Sequence, residues 1–573
     1  MIYSNNNFTL ENMKPWYWLN DNSRTFLSRG YLTEGQTAEE RIKIIGDHAE
    51  KILNRPGFSD KFVDYMSRGY ISLATPVWVN FGNDPGLPIS CFGSYVTDDL
   101  PGILHTHAEA SMMSKYGGGT SAYFGALRPR GAAVHNNGHS NGPVTFMQMF
   151  ETMVEVVSQG RTRRGSFSPY LPVEHEDIEE FLEIGTEGNP IQTLTHGVTV
   201  GSEWLEAMVA GDEAKRKVWA KVLERRGQMG YPYIIYRDNA NENTVDVYKD
   251  KQLKIEASNL CTEIMLPSNA EWSFVCCLSS LNLSHYDEWK DTDLVETMTY
   301  FLDAVMQEFI DKLEALRDHD ELEKRMAFRF LERSYNFAKD NRALGLGVLG
   351  WHTLLQSKQL GFASTEAEQL NKEIFALIRE RSGQASVDMA KEYGEPAVLE
   401  GYGRRNTTTM AIAPTTSSAF ILGQVSQGIE PIWSNCYIKD VAKMKVVIKN
   451  PQLKTLLVEK GQDNKAIWDS IRDNDGSVQH LDFLSETEKE VFRTFAEIDQ
   501  MAIIQQAADR QEFIDQGQSV NLMVSPEMPT KDINALYIKA WQLGVKSLYY
   551  QHSMNAAQQL SRKKIQEREI KPA

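Results

Sequence analysis

Cysteine is scarce in this sequence: Cys91, Cys261, Cys276, Cys277 and Cys436 are the only five in 573 residues. That is too few and too scattered for the disulfide framework of a secreted protein. No two of them have CxxC spacing, so no structural zinc site is expected. Long apolar runs are also lacking, and none approaches the roughly 18 residues of a membrane span. The start, MIYSNNNFTLENMKPWYWLN, has neither the basic n-region nor the apolar core of a secretory signal. Positive charge is in deficit, with Lys plus Arg 60 against Asp plus Glu 77 and a net charge of −17. Such a surface gives no reason to expect nucleic-acid binding. A phosphate-bearing ligand needs a local site that works against the global field. There is no short-period repeat and no low-complexity linker. The expectation is a cytoplasmic protein without membrane segments, whose thiols are reduced, catalytic or inert.

What is present is ordinary globular composition, 42% hydrophobic and 24% charged, in a chain long enough for a large core. Residues 37–70 read as two amphipathic helices broken at Pro56-Gly57. Beyond them, short apolar runs bounded by Gly and Pro alternate with helical patterns. The runs include ISLATPVWV, PISCFGSYV, YPYIIYRD, SFVCCLSSLNLS, TTTMAIAPTTSSAF and SVNLMVSPE. Helical stretches lie at 143–159, 296–318, 322–339 and 366–393. That alternation predicts an α/β protein with a mainly parallel sheet or barrel. Residues 450–516 are charged and helical, an expected excursion from the sheet, and from 551 the chain reads as a mobile polar tail.

Residues 259–267, NLCTEIMLP, place Asn259, Cys261 and Glu263 two apart. In extended backbone such side chains share one side, so an amide, a thiol and a carboxylate would converge. A strand edge with a buried cysteine is the plainer account. Cys91, and Cys276 with Cys277, also lie in strand-like runs, and only one of a vicinal pair can face a given interior. Thiols on neighbouring strands could form a reversible disulfide and deliver two electrons, or could simply be buried and inert.

Other stretches are weaker. The run Gly117-Gly118-Gly119 exposes backbone N–H groups or serves as a turn. APTTSS, 413–418, offers hydroxyls and N–H groups suited to phosphate at a helix start. GRTRRGSF, 160–167, gathers three arginines in an acidic protein. Gly345, Gly347 and Gly350 match GxGxxG, but no strand is expected before them, so they are read as close helix packing. His105, His107 and Glu109 lie in a helical pattern that turns i and i+2 apart, so they are read as a helix surface and no metal site is expected.

Together these residues resemble the large (α) subunit of class I ribonucleotide reductase. The resemblance is carried, in order, by ISCFGSYV, NLCTEI, CCLSSLNLS, APTTSS with GQVSQGIEP, FIDQGQSVNL and SLYYQ, over roughly residues 70–552. It implies a ten-stranded α/β barrel of two five-stranded parallel halves with a finger loop inside, spanning 71–550 after an N-terminal helical region, 1–70. Cys261 would carry the thiyl radical, Glu263 would take the 3′-hydroxyl proton, and Asn259 would bind the sugar. Cys91 and Cys276 would be the reducing dithiol, with Cys277 structural. Tyr549 and Tyr550 would relay the radical from a metal-containing β subunit. Thr75, Ser90, Gly118, Gly119, Thr415, Thr416, Ser417 and Ser418 match substrate-binding positions. Asp98, Arg128 and Arg163 match the region that binds dNTP or ATP effectors at a homodimer interface. The implied substrates are ribonucleoside diphosphates, and no cofactor or metal is expected to be tightly bound by this chain.

Two departures stand out. About 70 residues before the barrel leave no room for the family's N-terminal ATP-cone, which predicts no dATP off-switch. No cysteine follows Cys436, so either the chain is truncated or a thioredoxin-like or glutaredoxin-like protein reduces Cys91–Cys276 directly. The compact length suits a viral source. The rivals are an adenosylcobalamin-dependent class II reductase, which does not need Tyr549-Tyr550, and a non-catalytic nucleotide-binding paralogue.

Overall fold

The computed structural model describes residues 14–84, 86–89, 91–135, 138–157, 165–441 and 444–553. Helices Asp21–Ser28, Ala38–Leu53 and Phe58–Ser67 come first. Thr37 and Glu40 form a capping box at the start of the second, and Gly57, at φ +86, opens the third. The predicted break at Pro56-Gly57 is therefore where the two helices part, because only a left-handed residue reverses the chain there without strain. Ile42, Ile45, Ala49 and Phe62 carry these helices into the main core.

The strands in chain order are β1 (Ile71–Leu73), β2 (Cys91–Tyr95), β3 (Gly119–Tyr123), β4 (Phe167–Pro172), β5 (Gly197–Val200), β6 (Tyr233–Tyr236), β7 (Phe274–Asn282), β8 (Leu344–Leu349), β9 (Cys436–Val441), β10 (Met444–Lys449), β11 (Leu522–Val524), β12 (Ser547–Leu548) and β13 (Gln551–Ser553). β2 to β6 pair in parallel, each with the next. Parallel neighbours need crossovers, and helices such as Leu100–Lys115 and Gly142–Val156 supply them. A second parallel set starts at β7, which is antiparallel to β2 and parallel to β8. It continues through the parallel bridges Leu346–Met410 and Ile412–Gln518. The last step pairs β11 with β13, with Tyr549 N–H donating to Val520 O at 2.8 Å. β12 then runs antiparallel to β6 and closes the ring. The result is the expected ten-stranded barrel of two parallel halves, with β1 laid outside against β7.

β7 is buried at all nine positions, as a strand covered on both faces should be. Its outer cover is helix Leu294–Arg317, which packs with Leu322–Asn341 and Thr365–Tyr393. No described helix is long and apolar enough to cross a membrane.

Several local expectations change. Only Ile71–Leu73 of ISLATPVWV is strand; Thr75–Asn80 is helix, with Pro76 in its first turn, where a missing N–H costs nothing. Gly345 and Gly347 lie within strand β8 and do not pack helices. A Cβ at Gly345 would meet Leu278 Cδ2 at 2.5 Å and Cys276 Sγ at 3.0 Å, so that glycine makes room for a leucine and a thiol of β7. Glu109 is not on a helix surface: it is buried, pairs with Arg333 and accepts from Ser94 Oγ (2.8 Å) and Ser273 Oγ (2.9 Å). No cluster able to hold a metal occurs among the described residues. The excursion expected over 450–516 is shorter: helices Pro451–Glu459, Lys465–Asp473 and Glu486–Val491 enclose their own core around Leu457, Trp468 and Phe492, whereas Gln500–Gln511 returns to the main core through Ile503, Ile504 and Ala507. Of the polar tail, Gln551–Ser553 form β13, and 554–573 lie outside the described residues.

Candidate active site

The segment between helix Asp246–Asp250 and β7 runs through the barrel interior and is pinned from both halves. From the first half, Ser121 Oγ donates to Ser258 O (2.8 Å) and Tyr170 OH to Asn259 O (2.6 Å). From the second, Gly517 N–H donates to Glu263 O (2.8 Å) and Ser547 Oγ to Thr262 O (2.9 Å). At its tip the chain turns. Thr262 is left-handed at φ +69, and its N–H reaches Asn259 O at 3.4 Å. The extended backbone expected for NLCTEI is thus replaced by a turn. Asn259, Cys261 and Glu263 nevertheless line one cavity of about 420 Å³.

Glu263 is buried, accepts from Ser519 Oγ at 3.1 Å, and lies 3.9 Å from Cys91 Sγ. Burial pushes its carboxyl up to about 7, although Asn259, Ser519 and Cys91 each favour the ionised form. A carboxyl so placed can take or give a proton near neutral pH. Asn259 turns its Oδ1 to Ile264 N–H (3.2 Å) and its Nδ2 to Cys91 Sγ (3.4 Å), which fixes the amide between loop and thiol.

Cys91 and Cys276 are direct cross-strand partners in the β2–β7 seam. Antiparallel partners sit about 4.5–5.5 Å apart at Cα, within the range a disulfide spans. Cys276, Cys277 and Cys436 are free thiols. Cys91 lines the cavity and Cys276 does not, so the pair reaches the cavity through Cys91. Burial raises the Cys276 and Cys277 thiols well above their usual range, and the two face different surroundings. Cys276 meets Gln516 Nε2 at 3.4 Å and is affected by Cys91 and Glu263 inside, whereas Cys277 is affected first by Asp303 and Arg342 of the outer helical layer and less by Cys91. The alternation expected of a vicinal pair therefore holds.

Tyr549 and Tyr550 line the cavity with ring centroids 4.4 Å apart. Burial raises the Tyr549 phenol first, and a hydrogen bond to the Cys261 side chain contributes. The same interior holds Tyr123, Tyr170 and Tyr233, and Tyr233 lies 4.8 Å from Tyr549 and 5.2 Å from Tyr550.

Thr75, Gly119, Thr415, Thr416, Ser417 and Ser418 also line the cavity. Thr416–Ile421 is helical, so APTTSS does sit at a helix start. Gly118 is not brought to the cavity; a side chain there would run into the Phe92 ring. Ser90 and Arg163, with most of GRTRRGSF, lie outside the described residues. Asp98 and Arg128 form an exposed ion pair at 2.7 Å and are not among the residues that line the cavity.

Sequence reasoning missed Glu430 and Asn521, which line the cavity, and Gln516 and Ser519 behind it. They fall within GQVSQGIEP and FIDQGQSVNL, so the motifs were visible while their individual roles were not. The inward tyrosines did leave a signal. In YIIY, Tyr233 and Ile235 face the interior cluster while Ile234 and Tyr236 join the outer core, the period of two expected of a strand.

A closed α/β barrel with a thiol at the tip of an internal loop, beside two cross-strand cysteines, a buried carboxyl and a close, tilted tyrosine pair, is an arrangement suited to an oxidoreductase. A family model described as ribonucleotide reductase, barrel domain, matches residues 89–216, 212–399 and 396–551. The putative ribonucleoside-diphosphate reductase large subunit of Frog virus 3 (isolate Goorha) is 34% identical, covering 88% of this chain and 90% of that protein. The large subunit from Invertebrate iridescent virus 3 is 31% identical, covering 91% and 92% respectively. Among solved structures, the Actinobacillus ureae class Id ribonucleotide reductase alpha subunit superposes with a TM-score of 0.88 at 54% identity, covering 95% of this chain and 99% of that one. The chain belongs to the ribonucleotide reductase large-subunit family. Its compact length is shared with a bacterial relative and does not by itself mark a viral source.

Proposed function

We propose that this chain is the α subunit of a class I ribonucleoside-diphosphate reductase, which replaces the 2′-hydroxyl of a ribonucleotide by hydrogen. The observation that carries the reading is the convergence of Cys261, Glu263, Asn259, Cys91, Tyr549 and Tyr550 on one cavity, with Cys276 directly behind Cys91. Tyr550 and Tyr549 pass an oxidising equivalent to Cys261 from a metal-bearing β subunit. The Cys261 sulfur then removes the 3′ hydrogen of the sugar. Glu263 takes the 3′-hydroxyl proton, and Asn259 holds the ring in place. Cys91 faces the departing 2′-hydroxyl, and it leaves as water. The dithiol supplies two electrons and two protons and becomes a disulfide. The balance is ribonucleotide plus two thiols giving deoxyribonucleotide, disulfide and water.

Thr75, Gly119 and the 415–418 hydroxyls cradle the substrate, the last against its phosphates, where first-turn N–H groups lack intrahelical acceptors. Asp98, Arg128 and Arg163 serve a dNTP or ATP effector site between two copies of the chain. A thioredoxin-like or glutaredoxin-like protein restores the dithiol. The close tyrosine pair favours class I over the cobalamin-dependent reading, which has no use for it. The test is a CDP reduction assay with and without the cognate β subunit. Product is expected only with β present. Turnover supported by adenosylcobalamin without β would sink the class I assignment.

A further inference from the structure

Gln516 has no exposed surface, and none of the steps above uses it. Both ends of its carboxamide are occupied. Oε1 accepts from Met265 N–H at 3.1 Å, two residues beyond Glu263 on the internal loop. Nε2 faces Cys276 Sγ at 3.4 Å, Leu344 O at 2.9 Å and Thr408 Oγ1 at 2.9 Å. The orientation is forced: a backbone N–H can only donate, so the oxygen must face the loop and the amino group the thiol. The backbone beneath is also fixed. Buried Lys546 donates to the carbonyls of Asp515 (2.8 Å) and Gln516 (2.7 Å), and Asp515 accepts from Thr409 N–H (2.8 Å) and Met410 N–H (2.9 Å).

We propose that Gln516 is a positioning residue for the dithiol step: it aims the Cys276 sulfur at Cys91 and ties that sulfur to the loop bearing Cys261 and Glu263. The inference rests on the dithiol role proposed above for Cys91 and Cys276. An N–H donor favours a sulfur that carries more negative charge, so it stabilises the reduced pair over the disulfide, whose sulfur accepts poorly. Burial of Cys276 works the other way, and the Gln516 hydrogen bond opposes it. Oxidation removes two electrons and two protons from the pair as the S–S bond forms, and the Gln516 hydrogen bond weakens at that step.

The test equilibrates the full chain with mixtures of reduced and oxidised dithiothreitol. Protein dithiol and oxidised dithiothreitol then exchange with protein disulfide and reduced dithiothreitol. Acid quenching and peptide mass analysis count the Cys91–Cys276 linkage. Gln516→Met should lower the equilibrium constant for reduction about tenfold, which is about 30 mV toward negative potential for a two-electron couple. Gln516→Glu keeps an acceptor for Met265 N–H. Its protonated form can still donate to sulfur, whereas its ionised form cannot and repels the thiolate. Its displacement from wild type should therefore grow with pH. Cys91, Cys277, Glu263 and Tyr248 act on the same sulfur in both proteins, and Asp515, Arg379 and Lys546, whose ammonium burial pushes down to about 7, lie beneath residue 516 in both, so the reading is the difference from wild type. If both variants titrate with the wild type, or shift alike at every pH, the proposal is overturned, the latter result marking a packing effect alone. If Gln516→Met does not fold, the pH dependence of Gln516→Glu decides. A wild-type pair that forms no such disulfide overturns the dithiol role itself, a separate outcome.

Discussion

The two halves of the barrel are built differently. The first, β2 to β6, is a continuous parallel ladder in chain order, with strands four to six residues long. The second is joined at Met410, Ile412 and Gln518 by single bridges. There, buried polar side chains take over from the ladder: Asp515 accepts the N–H groups of Thr409 and Met410, and Lys546 fills the carbonyls of 515 and 516. A ladder places side chains only at its own repeat. Side-chain bonding releases the wall from that repeat, and the second half accordingly carries the 415–418 turn, Gln516, Ser519 and Tyr549-Tyr550.

The sharpest test acts on the loop that both halves hold. Cys261→Ser should abolish deoxynucleotide formation while nucleotide binding and the fold persist; residual turnover would show that the loop thiol is not the reacting group. The same residue type can then be compared across the halves. Tyr549→Phe, in the second, should remove nearly all activity with β present, because a phenyl ring has no phenol to oxidise. Tyr123→Phe, in the first, should stay within about threefold, since its ring packs in the interior cluster by burial. Equal losses would erase the functional difference between the halves.

A pH profile comes next. The base role proposed for Glu263 requires its ionised form, and burial pushes its carboxyl up to about 7. The rate should therefore fall as pH drops below about 7, approaching tenfold per unit as for a single titrating group. Its pKa is raised on folding, so its contribution to stability is full below its unfolded pKa and is lost as pH rises through about 7. Glu263→Gln should remove the activity limb and, in thermal melts, gain stability relative to wild type as pH rises over that window. Stability separates the halves further. Asp515→Ala strands two backbone N–H groups and the Arg379 partner, and should cost about 3–5 kcal/mol in denaturant melts. Ser168→Ala in β4 removes one bond to Thr195 O and should cost about 1 kcal/mol. On turnover the smallest effect is expected at Cys277→Ser, on the outer face, within about twofold, with a stability loss of about 1–3 kcal/mol from burying a hydroxyl.

Both halves were partly legible in the sequence. The helix at 142–156 in the first half and those at 294–317, 322–341 and 365–393 in the second fell close to their predicted bounds, and the apolar runs became β2 and β6 in the first half and β7, the strand segment at 410–412 and β11 in the second. What stayed hidden was β3, β4 and β5 in the first half and, in the second, a wall made by Asp515, Gln516 and Lys546 that leaves no alternating pattern. The glycines at 345 and 347 misled for a related reason: they answer to a leucine, a thiol and a backbone across the sheet, which no local spacing reveals. At the site, the spacing of Asn259, Cys261 and Glu263 led to the right volume through the wrong conformation. Thr262 is not a residue type that advertises a left-handed turn.

One junction carries a mechanical meaning. At Tyr549 and Tyr550 the chain changes partners, leaving β6 at Leu548 and joining β11 at Gln551. Tyr549 N–H is fastened to Val520 O and Tyr550 O to Leu522 N–H. A breathing motion that parted the two halves would draw both rings away from Tyr233 of β6, 4.8 and 5.2 Å from them, while the pair itself moved together. The bonds that shut the barrel are thus also the ones that set where this tyrosine pair stands in the interior.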